Sequence, residues 1–128
     1  MGLDVHLEAD ERLSLEVLTV IARTLGGLDL ACDDSSVFAH FASGLSVSAK
    51  RPCDDQAIYS EDTKGLSFPV MVRCYFRIKG PGPEDSSPLD DLKVFVEAIA
   101  AESDAYFLVS FQYESLMYWR DQTGFHST

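Results

Sequence analysis

Histidines are the residues of this chain best suited to acid and base chemistry near neutral pH. The three histidines, His6, His40 and His126, show neither H-x-H nor H-E-x-x-H spacing, so the sequence offers no metal-binding motif. His6 and His40 fall on the polar faces of predicted strands, and His126 stands close to the end of the sequence. Base catalysis needs an oriented partner and a pocket, and the sequence displays neither. We therefore predict surface or structural roles for the histidines, with no metal, no cofactor and no enzymatic activity.

Cysteine is the second residue type that could do chemistry here. The chain has three cysteines, an odd number, which are widely spaced and form no C-x-x-C pair: Cys32, Cys53 and Cys74. No histidine stands near them in the sequence to activate a thiol. This pattern predicts free thiols, with Cys74 in the core. Free thiols and a start without the basic and apolar regions of a secretion signal favour the cytoplasm.

Carboxylates dominate the charged residues. The 128 residues carry 21 Asp and Glu against 10 Lys and Arg, a formal net charge of −11. Such a charge repels nucleic acid and anionic membranes and attracts a basic partner.

Many of these acids occur in adjacent pairs. Adjacent carboxylates fit neither a calcium loop nor the separated dyad of a glycosidase. Of the pairs at 33–34, 54–55, 61–62, 84–85 and 90–91, four fall in predicted loops, where binding residues concentrate, although acids in loops can also be merely solvated. The predicted partner-binding residues are Asp33, Asp34, Asp54, Asp55, Glu61 and Asp62, followed by Glu84 and Asp85.

A face of one predicted strand concentrates basic and aromatic residues and gives an alternative site. Residues 70–79 alternate strictly, so that one face is apolar and the other carries basic side chains. The basic face can bind an anion, or it can be ion-paired to acids across the sheet. The residues of this alternative sheet-face site are Arg73, Tyr75, Arg77 and Trp119. The Gly-Pro-Gly-Pro turn at 80–83 lacks the amide donors of a phosphate loop, so we do not expect nucleotide binding.

The elements that position these residues follow from hydrophobic periodicity. Apolar spacing predicts one helix over residues 11–25 and a second that begins with Ser87 as N-cap and Pro88 as the first helical residue. Predicted strands lie at residues 3–7, 37–41, 45–50 and 70–79, with a terminal hairpin within 105–120. The segments at 28–36 and 51–68 are predicted loops, the second being long enough to suggest a function.

The resulting order, β-α-β-β-β-α-β-β, predicts an α+β fold made of a single domain over residues 1–128. We expect a mainly antiparallel sheet of about five to six strands, with two amphipathic helices packed on one face and the other face partly open. The second helix is predicted to bury Leu89, Leu92, Val96 and Ile99. The rest of the predicted core is Val17, Ile21, Leu25, Val72, Cys74 and Phe76.

One further pattern combines four features: the size, the acidic balance, the α+β plan and the stretch at residues 107–114 after a capped helix. In these respects the chain resembles the small acidic cytoplasmic immunity proteins of polymorphic toxin and contact-dependent growth inhibition systems. The resemblance implies binding to a cognate toxin, commonly a nuclease, and neutralisation by covering its active site or another functional surface. Two other classes stay open: a small enzyme or ligand-binding domain for an anionic small molecule, and an accessory subunit of a larger assembly.

Overall fold

The computed structural model describes residues 2–79 and 87–128. The predicted turn at 80–83, with Glu84 and Asp85 after it, therefore lies outside the described residues. In chain order the described elements are β1 (Gly2–Ala9), α1 (Leu15–Thr24), β2 (Leu28–Cys32), β3 (Ser36–His40), β4 (Leu45–Lys50), β5 (Val72–Lys79), α2 (Pro88–Glu102), β6 (Phe107–Phe111), β7 (Ser115–Asp121) and β8 (Gly124–Ser127).

All of these strands belong to one antiparallel sheet in the order β2-β3-β4-β5-β1-β6-β7-β8. The α+β class is confirmed, but the sheet has eight strands among the described residues rather than five to six. The two strands that sequence patterning did not predict, β2 and β8, are the edges. The residues of β2 are exposed or only half-buried, and its pairing with β3 shifts register between Leu28 and Ala31. Each edge packs a single apolar side chain against the core, Leu30 in β2 and Phe125 in β8, so neither shows the hydrophobic alternation that reveals a strand.

The core lies between the sheet and the two helices. Val72, Cys74 and Phe76 of β5 are all buried, which confirms the predicted phase of this strand. The Phe76 ring meets the Phe95 ring of α2 edge to face, with the centroids 5.5 Å apart. The neighbouring strand β1 turns Leu7 and two other apolar side chains toward the same core.

The first helix is shorter than its apolar pattern predicts. It begins at Leu15, because the Ser14 hydroxyl accepts a hydrogen bond from the backbone N–H of Val17 (3.1 Å) and caps the helix there. Ile21 is buried as predicted, whereas Val17 and Leu25 are half-buried at the rim of the core.

The second helix begins where predicted. The Ser87 hydroxyl accepts from the backbone N–H of Asp90 (3.2 Å), and Pro88 is the first helical residue. Leu89, however, is 49% exposed, so its predicted burial is wrong. Phe95 fills the core instead, because the buried stripe begins one turn later, at Leu92. Among the described residues, no helix is long and apolar enough to cross a membrane.

Candidate functional site

The sheet face opposite the helices is partly covered by residues 51–71, here named the crossing loop, which join β4 to β5 without forming a helix or strand. At its base, the backbone N–H of Cys53 donates to the carbonyl oxygen of Met71 (3.2 Å). At its far end, the backbone N–H of Glu61 donates to the carbonyl oxygen of Tyr113 (2.9 Å), in the turn between β6 and β7. The crossing loop is therefore hydrogen-bonded at both its base and its tip.

A buried carboxylate fastens the middle of the crossing loop to the sheet. Glu8 lies on the face of β1 away from the helices, and its side chain is 0% exposed. Its carboxylate accepts hydrogen bonds from the backbone N–H groups of Tyr59 (2.7 Å) and Ser60 (3.0 Å). Arg73, directly opposite on β5, donates to the same carboxylate at 2.6 Å. Burial of a lone charge would be strongly unfavourable, and these three donors make the burial of Glu8 possible.

The other side of the Arg73 guanidinium also holds the crossing loop. It donates to the carbonyl oxygens of Asp55 (2.9 Å) and Ala57, and it lies 4.0 Å above the centre of the Tyr59 ring. Partial burial opposes the charge of Arg73, but the hydrogen bond and the charge of Glu8 outweigh it and raise its pKa above the ordinary value. Glu8 and Arg73, named the clamp below, therefore form a charged pair that fixes the backbone of the loop.

Aromatic rings fill the space beside the clamp. The His6 ring stacks on Tyr113, with centroids 4.1 Å apart, and Tyr59 of the crossing loop meets Tyr113 edge to face at 5.4 Å. Burial lowers the pKa of His6 despite the nearby carboxylates of Asp4 and Glu8, so the ring is neutral at pH 7. His6 is thus placed as a packing group beside the loop.

The other two histidines lie against single carboxylates near the two edges of the sheet. His40 Nε2 is 3.5 Å from Asp29, and His126 Nε2 is 3.2 Å from Asp121. Hydrogen bonds from the hydroxyl and backbone N–H of Thr123 lower the pKa of Asp121 to about 2. Neither histidine contacts the clamp, so the three histidines do not converge on one site.

Three of the six leading acids shape the loops in which they lie. Asp33 accepts from the backbone N–H groups of two serines that follow it, at 2.8 Å each. Asp55 accepts from the backbone N–H of Ala57 (2.9 Å) and from the Tyr59 hydroxyl (2.5 Å). Asp62 accepts from the backbone N–H of Lys64 (3.1 Å). These hydrogen bonds favour the charged form and lower the pKa of all three aspartates, which are therefore ionised at neutral pH.

The other three leading acids, Asp34, Asp54 and Glu61, project into solvent. Asp54 is 91% exposed and lies 3.3 Å from the ammonium group of Lys50, a surface pair of small energetic value. Asp34 and Glu61 are exposed next to the turn-shaping acids Asp33 and Asp62. Their exposure leaves these carboxylates accessible to a partner.

The leading acids form two groups rather than one patch. The turn between β2 and β3 is joined to the start of the crossing loop, because the backbone N–H of Arg51 donates to the carbonyl oxygen of Ser35 (2.9 Å). The acids on the two sides of this junction are named the acidic corner: Asp33, Asp34, Asp54 and Asp55. The second group, Glu61 and Asp62, lies at the tip of the crossing loop beside the turn between β6 and β7.

The alternative sheet-face residues are brought together only in part, since Trp119 lies apart from the three residues of β5. Arg73 is engaged by Glu8, while Tyr75 and Arg77 line an open depression of the sheet next to β4. Trp119 lies on β7, which is separated from β5 by β1 and β6. There it stacks on His126, with ring centroids 5.1 Å apart, and Lys64 of the crossing loop lies 5.2 Å from its ring. Tyr75 therefore shares one open depression with Arg77 and a second with Arg73, whereas Trp119 lies apart from all three.

The most informative residue of this surface, Glu8, was not predicted from the sequence. An acid in the polar phase of a predicted strand is indistinguishable from a solvated one until its strand neighbours and the loop above it are known. Within residues 2–79 and 87–128, no three His, Cys, Asp or Glu side chains are grouped as metal ligands are. No family model matches the chain, and no curated protein or solved structure matches it either.

Proposed function

We propose that this protein is an immunity protein that binds a basic protein toxin through the acidic corner and the tip of the crossing loop. The observation that carries the proposal is the clamp: a fully buried Glu8, paired with Arg73, holds a long loop without secondary structure in one conformation. The loop held in this way displays exposed carboxylates at both of its ends.

The clamp favours a binding role over a purely structural one. A buried ion pair is weak evidence for stability, because desolvation offsets most of its attraction, and its best-attested use is to specify one conformation. A loop that is ordered before binding loses less conformational entropy on association. Fixing the crossing loop in this way therefore increases the affinity for a partner that contacts it.

The electrostatics favour a basic partner. The formal net charge is −11, and hydrogen bonds lower the pKa of Asp33, Asp55 and Asp62, so these carboxylates are charged at neutral pH. A fixed display of negative charge attracts a basic surface over a Debye length and increases the association rate. A nuclease active site, which must bind phosphates, is a basic surface of this kind.

We predict that a toxin is encoded beside this protein's gene, and the test is binding to that toxin and rescue from it. The two proteins would be co-expressed and co-purified, and survival of toxin-producing cells would be scored with and without this chain. We expect a stable complex and protection. Co-purification without protection would contradict neutralisation, and the absence of any complex would contradict the proposal as a whole.

Two variants with the same change in charge locate the interface. The first replaces the three solvent-facing acids by amides, D34N/D54N/E61Q, which leaves the turn-shaping hydrogen bonds intact. The second makes the same change in exposed acids of the two helices, E16Q/E97Q/E102Q. We expect the first variant to slow association about tenfold at low salt and to reduce its salt dependence, because rim charges act mainly on the association rate. Equal effects of both variants would indicate that only the net charge matters.

A further inference from the structure

A trough runs along β4 on the open part of the sheet face that the crossing loop leaves uncovered. Residues directly opposite one another on neighbouring strands share a face, so the register decides what lines the trough. Two rows cross β3, β4 and β5: Phe38, Ser48 and Tyr75 form the first, and His40, Ser46 and Arg77 form the second. Each row places a small serine between two large side chains, which produces a depression of about 470 Å³.

The walls of the first row are aromatic. The Tyr75 ring is held in place, because its hydroxyl donates to Asp4 at 2.6 Å and the His6 ring meets it edge to face at 5.0 Å. Phe38, on the opposite wall, is 43% exposed. Strands β3 and β5 are two strand spacings apart, about 9.6 Å. This spacing leaves room above Ser48 for one flat ring between Phe38 and Tyr75.

The second row supplies a positive charge. Arg77 is exposed on β5, beside the Ser46 hydroxyl, which donates to the Arg77 carbonyl oxygen at 3.4 Å. His40, on the other wall, is 3.5 Å from Asp29. Asp4 lies directly opposite Arg77 on β1 and accepts the Tyr75 hydroxyl, and among the described residues no ion pair joins Asp4 to Arg77. The guanidinium of Arg77 is therefore the group that can pair with a carboxylate, in the two-pronged geometry that arginine favours.

We propose that this trough binds a small aromatic carboxylate, with its ring between Phe38 and Tyr75 and its carboxylate on Arg77. The kind of occupant follows from local complementarity: the aromatic row lies directly beside the row that carries the positive charge of Arg77. The proposal is independent of toxin binding, because the acidic corner and the loop tip contribute no side chain to either row.

The probes are indole-3-acetate and its neutral amide, indole-3-acetamide, titrated into the uniformly ¹⁵N-labelled protein and followed by amide chemical shifts. We expect saturable shifts confined to β3, β4 and β5, with the acid bound about tenfold more tightly than the amide, as one charge-assisted interaction gives. Arg77→Gln should remove the preference for the acid and leave amide binding unchanged. Ser48→Leu should abolish binding of both probes, because it fills the floor of the trough. Arg23→Gln, at an exposed position of α1, is the matched control and should bind both probes as the wild type does.

Several results would overturn the proposal. One is the absence of saturable shifts with either probe in a wild-type protein that gives a well-dispersed spectrum. Others are equal affinity for the acid and the amide, or a preference for the acid that survives Arg77→Gln. Tighter binding of the capped peptide acetyl-Phe-Asp-amide than of indole-3-acetate would assign the trough to a protein segment instead of a small molecule. Each variant would first be checked for wild-type thermal unfolding, so that loss of binding is not mistaken for loss of the fold.

Discussion

Replacing Glu8 by Gln should release the crossing loop from the sheet while the helix-covered face stays folded. In the described structure, three donors meet only at Glu8: the backbone N–H groups of Tyr59 and Ser60 and the guanidinium of Arg73. Gln retains one carbonyl oxygen but replaces the other oxygen by an NH₂ group. At least one of the three donors then faces another donor.

The size of the effect follows from burial. A buried donor without an acceptor costs about 1–3 kcal/mol, and breaking a buried ion pair by removing one partner costs about 3–5 kcal/mol. The Arg73 side chain is 17% exposed, so water can partly rehydrate it once Glu8 is neutral. We therefore expect Glu8→Gln to lower the free energy of unfolding by about 3 kcal/mol, at the lower end of the range for a broken buried pair.

Urea unfolding and amide hydrogen exchange measure the two parts of this prediction. Exchange at Tyr59 and Ser60 should become much faster, while the amides of β5 that pair with β1 and β4 stay protected. Glu61→Gln makes the same chemical change at an exposed position of the same loop and should stay within about 0.5 kcal/mol of the wild type. The double variant E8Q/R73M should recover part of the lost stability, because it leaves no unpaired charge. A Glu8→Gln protein with wild-type stability and wild-type exchange at Tyr59 and Ser60 would refute the role of the clamp.

The remaining predictions concern the core, the thiols and one surface carboxylate. Phe76→Ala should lower the free energy of unfolding by about 3–5 kcal/mol, because the ring is fully buried; an unchanged urea midpoint would contradict the packing of β5. In the folded protein a thiol reagent at pH 8 should modify exposed Cys32 but not Cys74, whose pKa burial raises to about 12; equal rates would contradict that burial. The pKa of Asp121, about 2, should rise toward 3.8 in Thr123→Val, followed by NMR titration. Because the folded-state pKa is depressed, the stabilisation by Asp121 is present above pH 3.8 and is lost as the pH falls toward 2; an unchanged pKa in the variant would contradict the hydrogen bond.

The parts of the fold that bury alternating or helically spaced apolar residues could be predicted from the sequence. The phase of β5 and the cap of α2 at Ser87 followed from local patterns, which act over a few residues and need no partner element. The edge strand β2 could not be predicted, since its residues are largely exposed and its pairing with β3 is irregular. The start of α1 was predicted too early. Leu13 fits the helical spacing of apolar residues, but it is buried in the segment that precedes the helix, which begins at Leu15.

The candidate site shows the same division between local and long-range information. The sequence identifies the acidic residues of the loops. It does not show which of them hold turns and which face solvent. Asp33, Asp55 and Asp62 hold turns, whereas Asp34, Asp54 and Glu61 face solvent, and which acid of a pair accepts the backbone hydrogen bonds depends on the turn conformation. The pairing of Glu8 with Arg73 depends on β1 lying beside β5, a strand order that no local pattern specifies.

The exposed residues of the face opposite the helices can be changed without altering the apolar core or the buried clamp, which makes the proposals separable. The face toward the helices buries the apolar residues, and changes there lower the free energy of unfolding. The opposite face carries the clamp, the crossing loop and the trough, and exposed changes there leave the apolar core untouched. A triple amide variant of Asp34, Asp54 and Glu61 therefore tests toxin association on a folded protein, and Arg77→Gln tests the trough without altering the acidic corner. If these two variants each affected both kinds of binding, the face would act as one continuous surface, and the separation of the sites along the strand order would be wrong.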